Sequence, residues 1–493
     1  MASQMETVSG PTLPDTLNYI GGEWTDDGDA ERLAVFDPAT GRQIGEIPRS
    51  TPAAVDRAVS AAQKAFDNPE WRDMPPMERE ACLHRLADLM ERDADELARI
   101  ESLDQGKPLA FSSTLDVPAS IALLRYFAGW PSKLGGRTVT PAVNGPAFHA
   151  YTRREPVGVV GAIVPWNYPL LLAMFKLAPA LAAGCTVVLK PAELTPFSTL
   201  RLGQLIEEAG FAPGTVNIVL GDGSTGAAIV EHPGVAKITF TGSTSVGKKI
   251  AARCGQDLRR VTLELGNKTP VVIMPDADPQ VAIPGATQAS FVNTGQICFA
   301  GSRLFVPRKT MDRTLADIAE EAAKLKIGPG LEPDTMLGPI VSEGQANGIM
   351  ADMQAGLKSG ASLYSGGERL SREGYFIEPT ILVTEDPDNV VYRKELFGPV
   401  LTATPYDDIE DIAAMANDTD YGLAAHVYTR DLSAAHRLAA RIQAGTIWVN
   451  CDQISVDVNL PFGGFKESGW GRDNGEEVFE HYLETKTVMM KVG

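Results

Sequence analysis

Basic charge is what this sequence has least of. Its 44 Lys and Arg face 63 Asp and Glu, a formal balance of −19. Phosphate backbones are held by cationic surface, so nucleic acid is not an expected partner. Cysteine is scarce too. Cys82, Cys185, Cys254, Cys298 and Cys451 are odd in number and widely spread, which excludes a disulfide framework and suits a reducing compartment. The six histidines show no HxH, HxxH or HExxH spacing, so no transition-metal site is expected. The opening MASQMETVSG lacks a basic stretch followed by an apolar run, so no secretory signal is read and a cytoplasmic location is expected. One apolar run, Leu170 to Leu189, has the length to span a bilayer. Lys176, Pro179 and Gly184 interrupt it, and a mid-bilayer charge is costly. It reads as a buried helix followed by a buried strand, with no membrane partner.

What is present is a large, core-forming chain. Apolar residues make up 44% of 493 positions, too many for disorder. Residues 1–50 read as short strands and turns, and 52–106 as helices with apolar residues three and four apart. From residue 156 the pattern alternates. PVGVVGAIVP, CTVVLK, VNIVL, AKITFTG and RVTLELG read as buried strands with helices between, the spacing of a parallel, doubly wound sheet. A second alternation follows residue 266, with PVVIM, SRLFV, a charged helix at 309–325 and TIWVN. The tail HYLETKTVMMKV reads as an extended arm. The expected fold is α/β: two doubly wound Rossmann-like domains plus a β-arm.

Several motifs follow strands. Gly221 to Gly226 matches GxGxxG, but no acid lies about 20 residues on, so a glycine-rich turn capping a helix is the simpler reading. Gly242 to Lys248 nearly matches a P-loop, yet Lys249 stands where a hydroxyl should meet Mg²⁺, which argues against NTP hydrolysis. The strand–glycine–Ser243–helix arrangement remains a general phosphate seat. Glu193, just past CTVVLK, could accept hydrogen bonds from ribose hydroxyls or simply favour a helix start. Most lone cysteines are small core residues, and Cys298 could be one. Glu264 is an acid at an apolar strand end, either a general base or an ion-pair partner of Arg259 or Arg260. Asn167, in the stiff turn Pro165-Trp-Asn-Tyr-Pro169, could donate to a developing oxyanion or form an ordinary Asx-turn.

Together these stretches resemble the aldehyde dehydrogenase superfamily. PWNYP, KPAELTP, FTGSTSVG, LELGNK, GQIC, ELFGPV and PFGGFKESGWGR carry the resemblance, in order, from about residue 18 to the end. It implies Cys298 as nucleophile, Glu264 as the base that activates water, Asn167 as oxyanion donor with the Cys298 N–H, and Lys176 as a supporting residue. It implies NAD as cofactor rather than NADP, held by Ile163, Val164, Pro165, Trp166, Lys190, Ala192, Glu193, Gly223, Phe240, Gly242, Ser243, Val246, Leu265, Glu395 and Phe397. An access tunnel would include Tyr168, Leu172, Phe175, Phe299, Cys451, Ser455 and Phe462. These side chains suggest a medium-sized apolar or aromatic aldehyde, and the tail motif is similar to that of phenylacetaldehyde-type enzymes. Asp452 and Asp457 leave a cationic, betaine-aldehyde-type substrate as one alternative, and a semialdehyde is the other. The implied organisation is a dinucleotide-binding domain of 1–130 and 152–264, a catalytic domain of 265–465, and an arm of 131–151 and 478–493 that joins subunits into a homodimer or homotetramer. One departure stands out: Asn267 replaces the second glycine usual after the Glu-Leu pair, which puts water access and Glu264 mobility in question.

Overall fold

The computed structural model describes residues 10–28, 30–142, 147–451 and 456–492. Five wholly or largely buried strands form the parallel centre of an eight-stranded sheet: Val159–Ile163, Thr186–Lys190, Val216–Ile218, Lys237–Thr241 and Arg260–Glu264. The fourth strand in chain order pairs with the first, and the second and third lie on the first strand's other side. The connections therefore reverse direction beside Val159–Ile163. In open α/β sheets, the crevice beyond the strand ends at such a reversal is where ligands bind. Asn18–Ile20 and Glu23–Thr25 close one edge antiparallel, and Gly469–Trp470 closes the other.

The interrupted apolar run is a single helix, Pro169–Ala183, followed by the strand Thr186–Lys190. Pro169 opens the helix, where a missing N–H costs nothing. The helix runs on through Pro179 and stops at Gly184, whose left-handed φ of 90° suits glycine. Its residues pack into a core with Leu123, Leu124 and Phe127 from the helix Val117–Ala128.

The second sheet has seven strands in the order Ser362–Ser365, Thr380–Val383, Val400–Tyr406, Gly301–Pro307, Thr269–Ile273, Ala424–Tyr428 and Thr446–Val449. All neighbours are parallel except the first pair. Four of these strands lie in 326–445, where the sequence pattern is weak.

A third sheet pairs Phe148–Pro156 with Leu483–Lys491 along its whole length and with Thr138–Val139. The strand thus runs to Pro156, past the expected limit at 151. At the other end, Val478, Phe479 and Tyr482 belong to the core packed on the first sheet, so the arm begins at Leu483. No helix among the described residues is long and apolar enough to cross a membrane.

Candidate active site

Cys298 follows the helix Pro279–Phe291 on a sharply bent loop. Asn293, Thr294 and Gly295 have φ of 48°, 56° and 70°, three successive left-handed residues. A β-branched residue there is strained, by about 1–3 kcal/mol. Buried polar contacts hold the bend. Thr294 Oγ1 donates to Gly338 O at 2.9 Å, and Gln296 Nε2 donates to Asn293 O and Pro339 O, both at 3.2 Å. Gln296 Oε1 accepts the Val341 N–H at 2.9 Å. At Gly295 any side chain would collide with the Gly398 carbonyl. The result is a thiol that is only partly buried and borders two cavities at once. The core reading of Cys298 is thereby set aside.

The Pro165–Pro169 turn meets this loop. Asn167 Nδ2 donates to Gln296 O at 3.1 Å, while Asn293 Nδ2 donates to Asn167 O at 3.3 Å. A side-chain amide carries two N–H groups. One of Asn167's is anchored and the other is left for a ligand in either cavity, both of which Asn167 lines. Beneath the turn lies a buried charge cluster. Lys107 Nζ donates to Glu101 at 3.1 Å and also pairs with Asp116. The same ammonium sits 4.3 Å from the centre of the Tyr168 ring, and Glu101 Oε2 accepts the Leu170 N–H at 3.2 Å. Four long-range contacts therefore seat the turn and the start of the Pro169–Ala183 helix.

Glu264 ends the last parallel strand of the first sheet, with its side chain in the second of the two cavities. It pairs with neither arginine proposed for it: Arg259 binds Asp257 at 2.8 Å and Arg260 binds Glu484 at 2.6 Å. Its Oε2 is buried without a hydrogen-bond partner among the described residues. Burial, with Asp473 nearby, holds its carboxyl well above the usual range, and Lys176 acts the other way. Lys176 and Asp473 form an ion pair at 2.5 Å in the interior. Lys176 thus acts on Glu264 electrostatically, without lining either cavity. Burial raises the Cys298 thiol as well, reinforced by Glu395 and Glu264.

The second cavity, about 690 Å³, is the crevice at the sheet reversal. Of the expected cofactor residues, Pro165, Trp166, Gly242, Ser243, Leu265, Glu395 and Phe397 line it, with Thr241, Gly266 and Gln345 unforeseen. Ser243 stands at the N-cap position of the helix Thr244–Gln256 without a side-chain capping bond, and the helix N-terminus opens beside the crevice. Phe397, at a left-handed φ of 57°, meets Trp166 edge-on at 5.2 Å. Glu395 Oε1 accepts the Asn267 N–H at 2.9 Å, and a side chain at position 266 would collide with Glu395. Burial pushes the Glu395 carboxyl up to about 7.

Ile163, Val164, Lys190, Ala192, Glu193, Gly223, Phe240 and Val246 do not line this cavity. Lys190 and Glu193 pair at 3.5 Å at the end of the neighbouring strand, and the helix Gly223–Glu231 packs there, Gly226 lying against Lys190 and Ile163. The GxGxxG segment is a capped helix start: Asp222 Oδ1 accepts the Ser224 N–H at 2.9 Å. Lys248 of the near P-loop is tied to Glu467 at 2.7 Å.

Asn267 proves structural. It is not left-handed, and its buried side chain donates to Thr269 Oγ1 at 2.5 Å and accepts the Leu423 N–H at 3.2 Å. Its amide bridges two chain segments instead of relieving backbone strain.

The first cavity, about 800 Å³, is almost wholly apolar. Tyr168, Leu172, Phe175, Phe299 and Phe462 line it as expected. Phe299 packs on Phe462 and Trp448 at 5.7 and 5.4 Å. Cys451 packs against the same aromatic cluster but is not in the wall, where Val456 and Val458 stand instead. Ser455 and Asp452 lie outside the described residues. Leu115, Ala119 and Leu123 line it too, from the helical stretch 109–128, more than 150 positions before Cys298. That stretch lies beyond the helical pattern read at 52–106, and a local pattern does not say what a face covers.

The aldehyde dehydrogenase family profile matches residues 24–488. The chain belongs to the aldehyde dehydrogenase family. It is 45% identical to phenylacetaldehyde dehydrogenase of Pseudomonas fluorescens, over 99% of this chain and 98% of that one. It is 44% identical to human retinal dehydrogenase 2, over 97% and 92%. The NAD⁺ complex of an aldehyde dehydrogenase from Bacillus cereus superposes with a TM-score of 0.95 at 40% identity, covering 97% of each chain. The two-sheet fold and the arm are those of this family, as the sequence pattern leads one to expect.

Proposed function

We propose that this aldehyde dehydrogenase oxidises a medium-sized apolar or aromatic aldehyde to its carboxylic acid with NAD⁺, through a thioester on Cys298. The single observation that carries the reading is the position of Cys298: one thiol borders both the crevice at the sheet reversal and the apolar cavity.

The crevice residues suit a dinucleotide. Trp166, Glu395 and Phe397 would border the nicotinamide half, Ser243 and the adjoining helix N-terminus the pyrophosphate, and Lys190 with Glu193 the adenosine ribose. When bound, a nicotinamide supplies a two-electron hydride acceptor. Glu193 disfavours a 2′-phosphate, which supports NAD over NADP.

The chain's own groups do the remaining work. Cys298 Sγ, its proton released to water at the crevice, adds to the aldehyde carbon. Asn167's free N–H and the Cys298 backbone N–H hold the resulting oxyanion without reorganising. Loss of hydride leaves an acyl thioester on Cys298. Glu264 then takes a proton from water as that water attacks the acyl carbon, releasing the carboxylic acid and the thiolate. A carboxyl raised by burial is, once ionised, a stronger proton acceptor than an ordinary carboxylate. The buried Lys176–Asp473 pair keeps a compensated charge beside it.

The cavity wall supports an uncharged substrate. Among the described residues, no Asp, Glu, Lys, Arg or His lines it, and a buried unpaired charge is costly. Asp457 is exposed and occupied with Asn459 at 2.8 Å, so it favours no cationic aldehyde. The three-stranded arm, with Val139, Met489 and Met490 exposed, supports self-association. The test is a panel of aldehydes with NADH absorbance as readout. Phenylacetaldehyde is expected to be oxidised and betaine aldehyde left, and the reverse order would overturn the substrate reading.

A further inference from the structure

Asn474 is the one feature of the apolar cavity that the reaction leaves unexplained. It lines the cavity, together with Phe175, Val456, Val458 and Phe462. It is 1% exposed, and neither Oδ1 nor Nδ2 has a hydrogen-bond partner among the described residues. Its neighbour Asp473 is engaged by Lys176. An amide sealed among hydrocarbon with both ends unpaired is expensive to keep, and such groups call for a partner. Part of the choice of residue is conformational, because φ at Asn474 is 61° and asparagine tolerates that region. Glycine would meet the same backbone need with no buried amide to satisfy. The amide itself therefore wants a reason.

Resting on the aldehyde-oxidising reading above, we infer that Asn474 selects aldehydes whose apolar body carries an uncharged hydrogen-bonding group, such as a phenolic hydroxyl, remote from the carbonyl. The group is uncharged because, among the described residues, no ionisable residue but the thiol and the Tyr168 phenol lines the cavity. It is remote because Asn167 and Cys298 already serve the carbonyl. A hydroxyl can both donate to Oδ1 and accept from Nδ2. Sites that bury a polar group for a substrate hydroxyl discriminate strongly against the analogue lacking it.

The experiment compares kcat/KM for phenylacetaldehyde with that for its 3-hydroxy and 4-hydroxy derivatives, supplying NAD⁺ and NADP⁺ in turn. In the unaltered enzyme one hydroxylated aldehyde is expected to exceed the parent by about tenfold or more. In Asn474→Gly, which keeps the backbone conformation, that ratio is expected to fall to within about twofold of one. The first comparison needs no variant, so a folding failure of the second cannot hide the result. A ratio near one in the unaltered enzyme overturns the assignment to Asn474 and leaves the aldehyde reading standing. A high ratio that survives Asn474→Gly also overturns it, since another group then reads the hydroxyl. Oxidation of none of the three aldehydes overturns the aldehyde reading itself.

Discussion

Lys176 and Asp473, 297 positions apart, meet at 2.5 Å with side chains 0% and 2% exposed. One lies on the helix that follows the Pro165–Pro169 turn, the other three residues past Gly469–Trp470, the edge strand of the first sheet. Their pairing ties that helix to the chain beyond the edge strand and gives Glu264 a fixed electrostatic background. Removing one partner of a buried pair leaves an uncompensated charge. Asp473→Asn is therefore expected to destabilise the protein by about 3–5 kcal/mol and lower kcat, as measured by denaturant unfolding alongside steady-state rates. Unfolding curves that superpose on those of the parent would show the pair to be inessential.

Cys298→Ser is expected to reduce oxidation by about a thousandfold or more, because a serine hydroxyl is a far weaker acid and nucleophile than a thiol and stays protonated. The crevice is untouched, so saturating NAD⁺ should still raise the melting temperature of the variant. Retained activity would remove Cys298 from the chemistry, and a lost thermal shift would mean that it shapes the crevice instead.

Glu264→Gln is expected to slow thioester hydrolysis by about a hundredfold or more while leaving a rapid burst of NADH of about one per active site. Stopped-flow absorbance separates the two phases. Loss of the burst along with steady turnover would place Glu264 in acylation.

Glu395 gives a pH dependence with a defined sign. Its folded-state value is raised from 4.5 to about 7 by burial. Between those limits the folded protein holds a proton that the unfolded chain has released. The stabilisation from Glu395 is full below 4.5 and lost as pH rises through about 7. Glu395→Gln, which stays neutral, should flatten the fall of the melting temperature across that window. Identical slopes for the two proteins would refute the burial of this carboxyl.

Ala119→Trp should fill the apolar cavity from the helix side. Its expected effect is a loss of about tenfold or more in kcat/KM for phenylacetaldehyde and little change for acetaldehyde, which needs only the region near Cys298. Equal losses for both would point to a damaged fold rather than a shortened tunnel.

The sequence by itself determined the parallel first sheet, because strands buried on both faces must be continuously apolar, and Val159–Ile163 and Thr186–Lys190 are. It determined the chemical repertoire too, a thiol, a carboxyl and an amide in stretches that resemble one family. The strands Val400–Tyr406 and Ala424–Tyr428 escaped notice, since Thr, Pro, Ala and His weaken the apolar signal although both strands are buried. Only the tertiary structure decided that Cys298 faces two cavities, that Lys176 pairs with Asp473, and that Leu115, Ala119, Leu123 and Asn474 line one cavity. Those facts depend on which faces of distant segments meet. Local sequence sets a face's polarity through its period, whereas its neighbour is chosen by packing across the whole chain.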